Sequence, residues 1–401
     1  MTSCLITKQK NLKQIIDLGI HPYADTFINK NQLNFSEPFF SLQCFLNPNL
    51  GLIQSGVKTN AKDRYNLYDY SYTSSNSLFS KNHWDNFCNV VIKNTELKNK
   101  SYVLEIGSND GYLLNRFKKN KMKVVGVDAS IKMTGIANKK NITSLNMIFD
   151  KNSSKLLLKK FGKFDLIIAN NVFNHSNDPL GFITSVKKLL KKDGTFVFEV
   201  PYWYSSMKTM KFDQIYHEHV TYFTVKFIKN LCKITDLNVF DIQEVDYHGG
   251  SLRVFIKNYN IKTSHKVTSK INKMITKEEK FGLFKLSFYK VFMKRIEKNK
   301  LILLSKIIKI KQKGFSVVGV GAAAKGNTFL NFHNLNSSLI DFITDSSKHK
   351  INKYTPLSRI KILSDNALRK KNNCYILFLS WNIKTSLKTK LLKINKNLKF
   401  I

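Results

Sequence analysis

Four apolar runs of strand length recur between Tyr102 and Val200, each next to a stretch of helical character: YVLEIG, KVVGVD, FDLIIAN and GTFVFEV. Parallel strands buried on both faces read as near-continuous apolar runs, and their alternation with helices builds a doubly wound sheet. No other feature restricts the chain as much. It predicts an α/β fold whose ligand site lies at the carboxyl ends of the strands. LNVFDIQEVDYH and SLRVFIKN come next and predict an antiparallel pair closing one sheet edge.

A second α/β segment opens with FSVVGVGAAAKGNTFL and continues through LIDFITDSS and YILFLSWN. Between the two, residues from about 263 to 313 are charged and Leu/Ile/Phe-periodic, which predicts one or two helices. The first sixty residues read as short extended pieces with turns at His21-Pro22, Glu37-Pro38 and Asn47-Pro48-Asn49. Three units are therefore expected. They are a small leading domain over 1–64, a Rossmann-like domain over 65–262, and a helical plus second Rossmann-like domain over 263–401.

The charge is extreme, with 66 Lys and Arg against 27 Asp and Glu among 401 residues. A net +39 invites a nucleic-acid or anionic-membrane reading. However, the lysines are spread over the whole length, with no concentrated arm. A solvated basic surface is the preferred account, and its field would also help capture a diphosphate-bearing substrate. Five cysteines without regular spacing argue against a disulfide framework. The opening MTSCLITKQKN lacks the parts of a signal peptide, and no apolar run approaches the roughly 18 residues of a membrane helix. The expectation is a cytoplasmic enzyme without membrane or nucleic-acid partners, preferably a monomer.

The segment VLEIGSNDGYLL carries the most chemistry. An apolar strand ends at Glu105, a tight turn holds Gly107, Ser108, Asn109 and Gly111, and a helix begins at Tyr112. Glycine lets a backbone approach a ligand closely. A second strand ends in Asp128, 21 residues beyond Gly107, where an acid suits the two ribose hydroxyls of an adenosine cofactor. The turn reads GSNDG, not the three-glycine fingerprint of nicotinamide dinucleotide sites. This order, continued by FDLIIANNVFNHSNDP and LLKKDGTFVFEVP, resembles the class I S-adenosylmethionine methyltransferases. The resemblance implies a cofactor site in which Glu105, Gly107 and Gly111 line the methionine end. Ser108 and Asn109 lie in the same turn, Asp128 holds the ribose, and Asn170 lies beside the sulfur.

QIYHEHVTYF, from Gln214 to Phe223, gathers two His, one Glu and two Tyr into ten residues. In an extended segment His217 and His219 share one face, with Glu218 on the other. Zinc on a helix wants histidines four apart, and that spacing is absent. Acid–base work is the better reading. Moving a methyl to carbon requires removal of a C–H proton, which is acidic only beside a carbonyl, together with stabilisation of the enolate oxygen.

IYHEHVTYF, HGGSLRVF, GVGAAAKGNTFLNF, ITDSSKHKINKYTPLSRI and LSWN occur in that order. Together they resemble the sugar C-methyltransferases that act at C-3 of nucleotide-linked 4-keto-6-deoxy sugars. That implies catalytic roles for Tyr216, Glu218 and His219, with His219 favoured as base and Glu218 as rival. It adds His175 and either Tyr70 or Tyr72. Gly249, Gly250 and Ser251 would shape the pocket, and S-adenosylhomocysteine would leave as product. The GVGAAAKGNT turn offers a phosphate cradle with Lys325, or a second Rossmann-like unit that only packs; the sequence leaves both open. Asn327 and Tyr354 are further candidates for that substrate cleft.

The family's leading domain carries two Cys-x-x-Cys pairs that bind zinc. Here Cys4 is followed at that spacing by Thr7, and the second pair falls on Asn47 and Leu50. Structural zinc wants four Cys or His ligands, and Cys4, Cys44 and His21 supply at most three. No metal is expected. The competing readings are an O- or N-methyltransferase, a C-methyltransferase for another acceptor, an RNA-binding methyltransferase, and a non-catalytic sugar-nucleotide binder.

Overall fold

The computed structural model describes residues 2–59, 73, 75, 77–258 and 264–401, and three sheets organise them. The central sheet has seven strands: β4 (Tyr102–Ile106), β5 (Lys123–Asp128), β6 (Ser144–Asn146), β7 (Phe164–Ile168), β8 (Leu190–Pro201), β10 (Leu237–Val245) and β11 (Ser251–Asn258). Their order is β10-β11-β8-β7-β4-β5-β6. β6 to β8 run parallel, whereas β11 pairs antiparallel with both β8 and β10, as the sequence pattern predicts. Apolar residues fill both faces. Val103 belongs to a core with Phe87, Leu114 and Phe117, while Leu104 and Ile106 belong to one with Val127, Phe173 and Phe196. Chain direction through the sheet reverses at β4, so the crevice above its carboxyl end is where a ligand fits.

The leading sheet joins β1 (Lys13–Pro22), β2 (Phe39–Asn47) and β3 (Leu52–Ser55) to a short strand from far along the chain, β9 (Thr221–Tyr222). Ile53 pairs with Tyr222 and Gln54 with Thr221. The leading domain therefore grips the segment that follows His219. It also grips the carboxyl-terminal domain. Asn327 Nδ2 donates to Ala24 O at 2.6 Å, Ile28 bridges Tyr354, and Arg359 pairs with Glu37 at 2.6 Å.

The carboxyl-terminal sheet is wholly parallel. Its order is β14-β13-β12-β15-β16, built from β12 (Ser316–Val320), β13 (Phe342–Thr344), β14 (Ile362–Leu363), β15 (Cys374–Phe378) and β16 (Lys399–Phe400). The long helix Leu286–Gln312 packs against both β1 and β12. Among the described residues, no helix is long and apolar enough to cross a membrane.

At the two turns where a Cys4 zinc site would sit, hydrogen bonds connect the four positions. The Thr7 amide lies 3.5 Å from Cys4 Sγ, and Asn47 Nδ2 approaches the same sulfur at 3.5 Å. Asn47 Oδ1 in turn accepts from the Leu50 amide at 3.1 Å. The Asn47 amide thus stands between the two turns, a place where a metal would otherwise join them. Among the described residues no group of three His, Cys, Asp or Glu could hold a metal ion, so the residues present do not fit zinc. Purified protein should accordingly carry no stoichiometric zinc by metal analysis. Asn47→Ala, which leaves a buried sulfur and amide without their bridge, should cost about 1–3 kcal/mol in a denaturant titration. One zinc per chain would overturn this account.

Candidate functional site

Gly107 begins the site. Its φ of 75° lies in the left-handed region, and its amide donates to Val127 O at 2.7 Å. A Cβ there would meet Val172 Cγ2 at 2.2 Å, so only glycine fits. Asp128 then clasps the turn: Oδ2 accepts from the Asn109 amide at 2.9 Å and Oδ1 from the Ser130 amide at 2.8 Å. Burial raises the Asp128 carboxyl above the usual range, opposed by those two amides. Glu105 is pushed well above its ordinary value, first by burial and then by Asp110 and Asp128 nearby.

Among the described residues, the buried polar atoms without a hydrogen-bond partner include Glu105 Oε2 and Asn170 Nδ2. Both residues line a cavity of about 860 Å³. An orphaned acceptor and an orphaned donor are each costly alone, and a ligand bearing an ammonium and a carboxylate would satisfy both. The residues fit the methionine end of S-adenosylmethionine, with Asp128 placed for a ribose.

The cavity extends from Glu105, Gly107, Asn109, Asp128 and Asn170 past His175, Tyr216, Glu218 and His219 to Lys325. Here the expectation for the reaction segment needs correction. It is not extended: the chain turns at His217-Glu218, with the His219 amide donating to Tyr216 O at 2.9 Å. Tyr216, Glu218 and His219 therefore all reach the cavity wall. His217 points away, fully buried against Tyr23 and Phe40 of the leading domain. His219 Nδ1 lies 2.8 Å from Gln214 O. A carbonyl cannot donate, so Nδ1 carries the hydrogen and Nε2 is the basic nitrogen. The Tyr216 ring lies 3.9 Å from the His219 ring and the His175 ring 5.2 Å, centroid to centroid.

The far lobe repeats the construction of the near one. Gly321, with φ 89°, donates its amide to Thr344 O at 2.8 Å. Asp345 Oδ2 accepts from the Ala322 amide at 2.7 Å and Oδ1 from the Ser347 amide at 2.7 Å. The glycine bond and the Ser347 bond repeat those of Gly107 and Ser130 at the same offsets from the acid, while Ala322 stands one position nearer its glycine than Asn109 does. Ala322, Lys325, Asp345 and Lys350 line this lobe together with Asp25 from the leading domain. Lys325 Nζ lies 3.2 Å from Asn382 Oδ1 and 4.7 Å from the Trp381 ring centre, and burial lowers its pKa to about 8. Trp381 Nε1 donates to Asp213, whose carboxyl burial raises to about 6.

Other expected residues sit behind the wall. Ser108 Oγ pairs with Ser144 Oγ at 2.8 Å, and Gly111 opens the helix Tyr112–Lys119 close to Ala137. Gly249 is packed on Trp381, Gly250 on Ser205, and Ser251 Oγ donates to Tyr247 O at 2.9 Å. None of these three lines the cavity. Asn327 and Tyr354 do not reach the cavity and serve the contact with the leading domain. Tyr70 and Tyr72 lie outside the described residues. Sequence reasoning missed Asp25, Trp84, Tyr247, His248 and Asp345 as lining residues. Asp345 alone carried a readable signal, an acid ending a strand 24 residues past Gly321.

Residues 85–242 match the family model described as a methyltransferase domain, and residues 246–401 match the C-methyltransferase C-terminal domain. The C-methyltransferase NovU of Streptomyces niveus is 29% identical over 313 residues, covering 78% of this chain and 74% of that protein. Among solved structures, magnesium protoporphyrin IX methyltransferase of Synechocystis PCC 6803 is 14% identical, covering 44% of this chain and 78% of that one, with a TM-score of 0.34. A methyltransferase of Clostridium acetobutylicum ATCC 824 is 18% identical, covering 46% of this chain and 93% of that one, with a TM-score of 0.36.

Proposed function

We propose that this S-adenosylmethionine-dependent C-methyltransferase methylates C-3 of a nucleotide-linked 4-keto-6-deoxy sugar. Glu105, Gly107, Asn109, Asp128 and Asn170 would hold the cofactor, which supplies an electrophilic methyl when bound. The observation that carries the reading is His219, fixed by the Gln214 carbonyl so that Nε2 is its basic nitrogen on the wall between the two lobes. Nε2 takes the proton from C-3, and the electrons left behind delocalise onto the C-4 oxygen. Tyr216 and His175, whose rings lie near His219, can donate to that oxygen as charge develops.

The sugar nucleotide is proposed for the far lobe. Its support is the Gly321–Asp345 turn, whose acid clasps two amides as Asp128 does, together with a buried lysine beside it. An acid so held presents its remaining lone pairs to a ribose hydroxyl, while Lys325 supplies charge for a diphosphate. With a pKa near 8, Lys325 is cationic only below that pH. Affinity for a nucleoside diphosphate should therefore fall by about tenfold as pH rises through 8, the worth of one charge-assisted contact. Lys325→Met should bind weakly at every pH and lose that dependence. A Lys325→Met profile matching the unaltered protein by calorimetry would remove Lys325 from the site.

The reading is tested in heavy water with a dTDP-4-keto-6-deoxy sugar, followed by NMR and mass spectrometry. Deuterium should enter C-3 without cofactor, and a C-linked methyl should appear with it. Cofactor binding with neither change would move the search to O-, N- or other C-acceptors.

A further inference from the structure

Roofing the cofactor end of the cavity is the helix Leu78–Asn94, whose Phe79, Ser80 and Trp84 line it. This helix precedes the sheet and belongs to none of its crossovers, so something other than chain connectivity must index it. Phe87 and Val91 bury its inner face in the core, and Asp85 pairs with Arg116 at 2.8 Å; its cavity end has a further anchor, a buried ionic group on β8. Glu199, 1% exposed, accepts a hydrogen bond from Arg253 Nε at 2.7 Å on Oε1, and Arg253 Nη2 lies in ionic contact 2.6 Å from the same oxygen. Its Oε2 lies 2.8 Å from His83 Nε2, on the roof helix. The His83 ring also lies flat on Tyr247 at 3.7 Å and 5°, and Tyr247 faces the cavity between Phe79 and Trp84.

The main chain of Glu199 reaches the reaction side as well. Its amide donates to Asn170 Oδ1 at 2.9 Å, and its carbonyl accepts from the Asn171 amide at 2.7 Å. One residue thus fixes the side chain expected beside the cofactor sulfur and, through its carboxylate, the roof above it. Arg253 alone neutralises the carboxylate charge, so the His83 bond is not needed for that. What it adds is position.

We propose that His83 is a positioning residue: through Glu199 it sets the roof helix in register with Asn170 and so shapes the cofactor pocket. The proposal uses only the cofactor end, so it is independent of which acceptor the enzyme takes. His83 touches no reacting atom.

Three variants separate its two contacts. His83→Gln keeps a donor near the Nε2 position and loses the ring stack. His83→Phe keeps the stack and leaves Glu199 Oε2 buried without its donor. His83→Ala loses both. Binding of S-adenosylhomocysteine to the full chain is measured by calorimetry, with thermal unfolding in parallel. The Phe and Ala variants should bind at least about tenfold more weakly, the loss expected for a hydrogen bond to a charged group, and Gln should stay within about threefold. The proposal is overturned if the Phe variant binds as the unaltered protein does, or if Gln is as weak as Ala. It also fails if all three lose thermal stability while affinity is unchanged, which would make His83 merely structural.

Discussion

Replacing His219 with Asn should suppress both C-3 deuterium exchange and methyl transfer by roughly a thousandfold, within the range typical for loss of a general base. Asn keeps an amide donor close to the Nδ1 position, so the bond to Gln214 O can persist while Nε2 disappears. Cofactor affinity should change little, because Glu105, Asn109, Asp128 and Asn170 lie on other elements. The acceptor that fixes the tautomer is a main-chain carbonyl, and no side-chain change at Gln214 deletes it. Glu218→Gln is the matched comparison, with a loss of no more than about tenfold expected. The opposite ranking, with exchange surviving in His219→Asn and vanishing in Glu218→Gln, would make Glu218 the base.

Gly107→Ala should weaken cofactor binding by about a hundredfold and destabilise the chain by about 2–4 kcal/mol, through backbone strain and overpacking together. Two effects combine there: a left-handed φ of 75° and a Cβ placed 2.2 Å from Val172 Cγ2. Gly162 separates them. Its φ is 74°, yet nothing lies within 4 Å of an added Cβ, so Gly162→Ala carries strain without collision. With ψ at −151° it sits where glycine alone is at ease, so the change should cost about 1–3 kcal/mol and leave cofactor affinity intact. Val172→Ala in the Gly107→Ala background should recover the contact part of the loss and not the strain. Equal effects of Gly107→Ala and Gly162→Ala, in a titration followed by denaturation, would refute the close-approach argument.

The parallel sheets were legible because burial on both faces writes a strand as an unbroken apolar run, and the glycine turns because left-handed backbone selects glycine. The turn that opens the cavity was legible for the same reason, since Glu105, Gly107 and Asp128 sit at fixed offsets along one crossover. Elsewhere a local rule was applied to the wrong geometry. Alternating faces hold for a strand, and the chain turns at His217-Glu218, which sends His217 into the leading domain and Glu218 to the cavity. Asn327 carries chemistry suited to a substrate, yet it bonds Ala24 across 303 positions of sequence. Nothing in the neighbourhood of either residue announces such a contact. The same holds for His83 and Glu199, 116 positions apart.

The pairing of β3 with β9 makes the enzyme less modular than its three sheets suggest. A truncation that discarded the first 55 residues would strip the partner from Thr221 and Tyr222, two and three positions past His219, and unseat the proposed base along with the sheet. Chimeras that exchange the leading domain would have to carry both sides of that pairing. A change at either edge is therefore felt across it, and the leading domain is not a free unit that can be exchanged alone.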